Sequence, residues 1–233
     1  MEKEELLSVS NLNVKFELKN VDVNAVKGTS FSIKKGETLA IVGESGSGKS
    51  VTAMSIMRLN DFTKSAKTSG SIKLRQKNGS IIDLSVQTQT EMREIRGNEL
   101  AMIFQEPMSA LNPILNIENQ LTEAILMHHD VTKTEAKKRA IDLLNKVRIP
   151  EAKNQMKRYP HQLSGGMRQR VMIAMALTSN PSLLIADEPT TALDVTIQAQ
   201  ILNLLKVLQS ETGMSVLFIT HDKGVVAEIA DRV

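Results

Sequence analysis

The chain has 233 residues, with 29 Lys plus Arg, 26 Asp plus Glu and a formal charge of +3. That length suffices for one large domain or a domain carrying an insert, and so small and scattered a basic excess makes no independent case for a nucleic-acid partner. The absence of cysteine excludes disulfides and thiolate metal sites, the acidic start Met1-Glu2-Lys3-Glu4-Glu5 lacks the features of a signal peptide, and no apolar run approaches the ~20 residues of a membrane span.

The first elements are extended. Leu7-Ser8-Val9, Asn13-Val14-Lys15-Phe16 and Thr29-Ser30-Phe31-Ser32-Ile33 alternate with period two, and Lys35-Gly36 turns the chain. Thr38-Leu39-Ala40-Ile41-Val42 is an apolar run that reads as a buried strand, and Val51 to Leu59 reads as a helix start. Between them stands Gly43-Glu44-Ser45-Gly46-Ser47-Gly48-Lys49-Ser50, which fits the phosphate-loop pattern G-x-x-x-x-G-K-[ST]. Glycines let the backbone curl so that successive N–H groups face phosphate oxygens. The new helix adds the positive end of its dipole. Lys49 is placed to reach the β- and γ-phosphates, and the Ser50 hydroxyl to take a position around Mg²⁺. Val51 follows in the first turn.

Ser71-Ile72-Lys73-Leu74 and Ser80-Ile81-Ile82-Asp83-Leu84 flank Asn78-Gly79 as a hairpin. Leu100 to Phe104 reads as another buried strand. From about 115 to 180 the pattern turns helical. There Thr132-Lys133-Thr134-Glu135 fits a capping box, Ala136, Ala140, Ile141, Leu144 and Val147 keep helical spacing, and Pro150 stops the run. The interrupted basic run Lys133 to Arg139 reads as a solvated helix face. Leu183-Leu184-Ile185-Ala186 has the continuous apolar character of a strand inside a parallel sheet. Asp194 opens a helix with Ile197, Ile201, Leu204, Leu205 and Leu208 inward. Ser215 to Ile219 is a further buried strand, and a short helix runs from about Lys223 to Ala230. Asp231-Arg232-Val233 reads as the opening of one more strand, so the chain is expected to belong to a longer polypeptide. Met54, Met57, Met102, Met172 and Met175 are expected to fill core gaps. The predicted class is α/β, with a mainly parallel core sheet, an N-terminal antiparallel region and an inserted helical unit.

After the apolar run at 183–186, Asp187 and Glu188 place two carboxylates at a strand's carboxyl end, where open α/β sheets bind ligands. Asp187 is positioned for the Mg²⁺ shell and Glu188 to polarise a water against the γ-phosphate. Taken alone, such a pair could equally cap a helix.

Leu163-Ser164-Gly165-Gly166-Met167-Arg168-Gln169-Arg170 resembles the L-S-G-G-Q signature of ABC transporter ATP-binding subunits, with Met167 in place of glutamine. Ser164, Gly165 and Gly166 offer a hydroxyl and backbone N–H groups at a helix N-terminus, a second anion site. The resemblance extends over residues 7 to 233 and implies the P-loop ABC ATPase fold, with 1–233 as one nucleotide-binding domain and about 115–180 as its helical signature subdomain. It implies that Gln105 senses Mg²⁺ and the attacking water beside a docked membrane partner. It implies that Thr191-Ala192-Leu193-Asp194 crosses a dimer interface, that His221 contacts the γ-phosphate, and that Phe16 stacks on adenine, with Leu18 and Val21 as alternatives. An isolated His221 would more often be a satisfied structural histidine, and Phe16 could equally be a core residue. A narrower likeness, in Phe104-Gln105-Glu106-Pro107-Met108-Ser109-Ala110-Leu111-Asn112-Pro113 and Arg158-Tyr159-Pro160-His161-Gln162, points to the dipeptide, oligopeptide, nickel and glutathione importers. The implied function is ATP hydrolysis that powers import of a peptide-like solute at the cytoplasmic face of the membrane. ATP and Mg²⁺ are the implied cofactors, with a second nucleotide-binding domain, permease subunits and, indirectly, a solute-binding protein as partners, and no nucleic acid. A non-transport ABC ATPase of DNA repair, the ribosome or phosphonate metabolism is the alternative. Only 59 positions separate Gln105 from Ser164, too few for the long coiled coils of the DNA-repair class.

Overall fold

In the computed structural model the described residues are 4–19, 21–106, 110–191 and 193–233. Among them, two four-stranded sheets share the molecule. The first is antiparallel in the order β2-β1-β4-β5, from β1 (Glu5–Glu17), β2 (Asp22–Lys34), β4 (Ala66–Arg75) and β5 (Ile81–Asp83). The second runs β3-β8-β7-β6, from β3 (Thr38–Val42), β6 (Leu100–Ile103), β7 (Leu183–Asp187) and β8 (Ser215–Thr220), and all its pairs are parallel.

The two segments read as Leu7–Val9 and Asn13–Phe16 are one strand, interrupted by a bulge. Register slips between Val9 and Leu12 on the β2 side and between Ser10 and Asn13 on the β4 side. Asn11 takes φ 49, its N–H donates to the Ser30 hydroxyl, and the Gly28 N–H donates to Asn13 Oδ1. The extra residues keep apolar Leu7, Val9, Leu12 and Val14 buried on both sides of the slip. The Asn78-Gly79 hairpin forms, with Gly79 at φ 87.

The parallel strands alternate between two cores. Leu183 and Ile185 of β7 face one apolar cluster, together with Leu217 and Ile219 of β8, the antiparallel sheet and helix α1 (Lys49–Ile56). Leu184 and Ala186, with Val216 and Phe218, face the other. Period-two alternation in a strand buried on both faces needs apolar residues at every position, which is why these segments read as unbroken hydrophobic runs. The second cluster is covered by α3 (Ile117–His128), α4 (Lys133–Lys146), α5 (Ala152–Gln155), α6 (Gly165–Ala176), α7 (Val195–Thr212) and α8 (Lys223–Ile229); α2 (Gln89–Asn98) leads into β6. Met57, Met102 and Met172 are buried among these apolar neighbours, and Met54 and Met175 pack against them.

Two local expectations are corrected. Thr132 caps α4 by accepting from the Glu135 N–H, but the Glu135 carboxylate turns to Arg139, one turn on, so only half of that box forms. The reciprocal box is at α2, where Thr88 Oγ1 accepts from the Glu91 N–H and the Glu91 carboxylate accepts from the Thr88 N–H. Helix α4 ends at Lys146, before Pro150, with Arg148 at φ 59.

Gly70 holds φ 110, and a Cβ there would lie 2.6 Å from the Asn11 carbonyl oxygen and 2.9 Å from its carbon. Gly70→Ala combines that clash with backbone strain and is expected to lower stability by about 3 kcal/mol. Urea unfolding should show a lower midpoint with an unchanged slope.

Candidate functional site

The loop between β3 and α1 curls through left-handed residues that only glycine adopts without strain, Gly46 at φ 80 and Gly48 at φ 91. Gly48 is the N-cap of α1 and sits against the Ala25 carbonyl of β2, leaving no room for a side chain. The loop surrounds a cavity of about 880 Å³ lined by Gly43, Glu44, Ser45, Gly46, Gly48, Lys49, Ser50 and Val51. Ser47 faces an adjoining cavity that reaches Val23, Asn24 and Ala25 of β2. The Lys49 side chain turns back into the loop, and its ammonium donates to the Gly43 and Glu44 carbonyls at 2.7 and 2.8 Å.

Behind the cavity wall, Asp187 closes β7 at 3% exposure. Its carboxylate accepts from the Ser50 hydroxyl at 3.1 Å. Burial pushes its pKa above the usual carboxylate range; the Ser50 hydrogen bond opposes this, Glu188 adds to it and Lys49 opposes it. Glu188 follows at φ 47, a left-handed residue that turns the chain off the strand and directs its side chain to three partners. Its Oε2 accepts from Gln105 Nε2 at 3.2 Å and from the Thr191 hydroxyl at 2.9 Å, and its Oε1 lies 3.3 Å from His221 Nδ1. Gln105, Glu188 and His221, predicted from motifs 33 to 116 residues apart, therefore meet on one wall.

Other expected residues lie elsewhere. Ser164 is the N-cap of α6, its hydroxyl accepting from the Met167 N–H. The N–H groups of Gly165 and Gly166, first in the helix, have no acceptor within it. These three residues and Asp194 are absent from the phosphate-loop cavity lining. Asp194 caps α7 by accepting from the Ile197 N–H at 2.9 Å. Phe16 is half-buried against the core of the antiparallel sheet and is not brought to either cavity at the loop. Pro107, Met108, Ser109 and Ala192, members of two of the motifs, lie outside the described residues. Ala25, Thr191 and Lys223 were not expected in the cavity wall. The spacing of Thr191, three residues beyond Glu188, could have suggested a local hydroxyl–carboxylate pair; nothing in the sequence marks Ala25 or Lys223.

Among the described residues no group of three or more His, Cys, Asp or Glu is placed to hold a metal by itself. The Ser50 hydroxyl and the Asp187 carboxylate fit a hard divalent ion that takes its remaining oxygens from phosphate and water, as Mg²⁺ does. No helix of the described residues is long and apolar enough to cross a membrane.

Because its folded-state pKa is raised, Asp187 binds its proton more tightly in the folded chain than in the unfolded one. Its penalty is absent below the unfolded pKa of about 4 and fully present above the raised folded value. Asp187→Asn, which can still accept from Ser50, is expected to raise the thermal midpoint of the nucleotide-free chain at pH 7. That gain should shrink to nothing as the pH falls below about 4, as thermal melts across that range would register.

The family model described as ABC transporter matches residues 26–191. The chain is 56% identical over all of its 233 residues to the glutathione import ATP-binding protein GsiA of Salmonella typhimurium, and 58% identical over 228 residues, 98% of the chain, to that of Shigella dysenteriae. It spans 37% of the length of these curated relatives. Among solved structures, the ATP-binding cassette MJ0796, a post-hydrolysis dimer bound to ADP and phosphate, superposes with a TM-score of 0.82 at 30% identity over 96% of this chain and 91% of that one. The cbiO1 protein of Clostridium perfringens, part of the ABC transporter complex cbiONQ, gives 0.76 at 28% identity over 98% and 83%. The fold is that of the ABC ATPases, and this chain belongs to the ABC transporter family.

Proposed function

We propose that this chain binds ATP with Mg²⁺ and hydrolyses it as half of a composite site shared with a second nucleotide-binding domain, powering uptake of a peptide-like solute. The observation that carries the reading is the convergence of Lys49, Ser50, Glu188, Gln105 and His221 around one cavity at the mouth of the phosphate loop, with Asp187 bonded to Ser50 behind its wall. In it the Gly46–Ser50 amides and the α1 N-terminus grip the phosphates. The Lys49 ammonium exchanges its two loop carbonyls for phosphate oxygens. Ser50 and Asp187 would hold Mg²⁺, whose charge would offset that of the transferring phosphoryl group.

Glu188 accepts the proton of the attacking water. Gln105 and Thr191 fix its Oε2, leaving Oε1 toward His221. His221, exposed on the rim, reaches for the γ-phosphate. Chemistry of this kind is positioning and electrostatic stabilisation rather than covalent catalysis.

Ser164, Gly165 and Gly166 lie outside the cavity, which supports a head-to-tail pair in which the signature of one domain closes on the nucleotide of the other. The second domain is identical, separate or fused to this one. A groove lined by Gly97, Ala110, Leu115, Met127 and Met175 together with Asn112, Gln120, Glu123 and His128 suits a permease helix that carries both apolar and polar positions. The protein then works at the cytoplasmic face of the membrane, and a solute-binding protein delivers cargo to the permease. The glutathione-import names of the relatives favour a small peptide as that cargo.

Glu188→Gln keeps shape and hydrogen bonding but removes the base. ATP affinity should hold while turnover falls at least about a hundredfold, and an ATP-bound dimer should accumulate in sedimentation. Near-normal turnover would remove Glu188 as the base. Ser164→Arg should leave nucleotide binding by the monomer intact and abolish that dimer; a surviving ATP-dependent shift would defeat the head-to-tail arrangement.

A further inference from the structure

Arg170, five residues into the helix that begins at the signature, is a buried cation for which no carboxylate partner is found among the described residues. Its guanidinium instead spans three helices. One nitrogen donates to the Val147 carbonyl at 2.9 Å and the other to Gln200 Oε1 at 3.0 Å. Val147 is the C-cap of α4, where the unsatisfied carbonyls concentrate negative partial charge. Burial and the nearby charge of Arg148 both lower the pKa of Arg170, a cost that the two hydrogen bonds and the α4 C-terminal carbonyl offset. Replacing such a buried polar contact by a well-packed apolar side chain is often neutral for stability, so the contact is weak evidence for a purely stabilising role.

Its placement indicates another role. Gly166 and Arg170 are four residues apart and share one face of α6; Ile197 and Gln200 are three apart and share one face of α7. A Cβ on Gly166 would lie 2.9 Å from Ile197 Cγ2, so the helices touch closely at their N-terminal ends. Arg170–Gln200 is the second rung of the same contact, one turn further along. Two rungs fix rotation and tilt where one fixes only distance. The contact to Val147 ties the same rung to α4.

We propose that Arg170, through Gln200 and the Val147 carbonyl, is a positioning residue for the composite site: it sets the rotation of α6 so that Ser164 and the Gly165 and Gly166 amides face the nucleotide of the neighbouring domain. This rests on the head-to-tail reading above, and the test separates the two. In a Glu188→Gln background, sedimentation velocity with ATP and Mg²⁺ measures the protein concentration at half-maximal dimer, beside monomer ATP affinity and the thermal midpoint.

Arg170→Met should leave ATP affinity and the thermal midpoint unchanged or improved, yet raise the dimerising concentration about tenfold, the scale on which packed side chains couple to a distant equilibrium. Arg170→Lys, which reaches one acceptor but cannot fork, should fall between. Gln200 is exposed, so Gln200→Leu removes the α7 arm without opening the core; it decides the matter if Arg170→Met fails to fold, and a several-fold rise supports the proposal. A merely structural staple would shift the thermal midpoint and leave the dimerising concentration alone. If Arg170→Met and Gln200→Leu both dimerise like their parent, or Gln200→Leu does so where Arg170→Met fails to fold, the positioning role is overturned and the composite site stands. If the Glu188→Gln parent itself never dimerises with ATP, the head-to-tail reading falls and this proposal with it.

Discussion

Parallel pairing of β3, β8, β7 and β6 obliges every strand of that sheet to end at the same edge, and the register sets how closely those ends align. Val42 pairs with Thr220, Ile219 with Asp187, and Ala186 with Ile103. Gly43, His221, Glu188 and Gln105 each stand one or two residues beyond a paired position. Chain segments far apart in sequence are thus delivered to one edge by hydrogen bonding alone, before any side chain contributes. The two apolar clusters hold the arrangement from both faces. A slip of one residue in β7 would turn Leu184 and Ala186 to the wrong core and withdraw the Asp187 carboxylate from Ser50.

Within that frame, the polar groups of the site pair with one another. Lys49 donates to two loop carbonyls, Ser50 to Asp187, and Gln105 and Thr191 to Glu188. The Lys49 and Ser50 bonds engage atoms that the proposed mechanism turns to phosphate and metal ion, so a phosphate ligand exchanges partners there, while the Gln105 and Thr191 bonds hold Glu188 in place. The loop is thereby held near its working shape, which lowers the ordering that binding must impose. The adjacent carboxylates are separated by environment. Asp187 is sealed beneath the loop, where burial resists its ionisation. Glu188, turned outward by its left-handed backbone, keeps an open approach from the cavity.

The legible part of this molecule was its short-range grammar. A phosphate loop, an apolar strand ending in Asp-Glu, and a helix opened by Ser-Gly-Gly each concentrate their meaning in about ten residues, and the sheet then assembles them. The bulge in β1 was less legible: Leu12 keeps its burial only because the register slips around Asn11, so the alternation breaks and one strand reads as two. The capping box at Thr132 failed through competition. Arg139, one turn on, takes the Glu135 carboxylate from the Thr132 amide, whereas Glu91 meets no cation among the described residues and returns to Thr88. Ala25, Arg170 and Gln200 were invisible for another reason. Their contacts are set by how α1 meets β2 and how α6 meets α7, which no local pattern encodes. Phe16 was assigned on likeness alone, and its packing into the antiparallel sheet offers no contact with the loop cavity.

On the head-to-tail reading proposed above, the packing of α6 also accounts for why one chain would not complete its own phosphate-loop site. Gly165 and Gly166 pack against Leu193 and Ile197 at the start of α7, and α7 is buried along Ile201, Leu204, Leu205 and Leu208 over the parallel sheet. Swinging Ser164 toward its own phosphate loop would break the Gly166–Ile197 contact, free the Arg170 guanidinium from Gln200 and expose apolar surface of α7 to water. At roughly 25 cal/mol for each Å² of apolar surface so exposed, that motion is opposed by the same packing that holds the fold together. In the proposed pair, a second domain would present a matching helix terminus with no such rearrangement. Rigid attachment of α6 to α7 thus supports pairing as the easier route to a finished site.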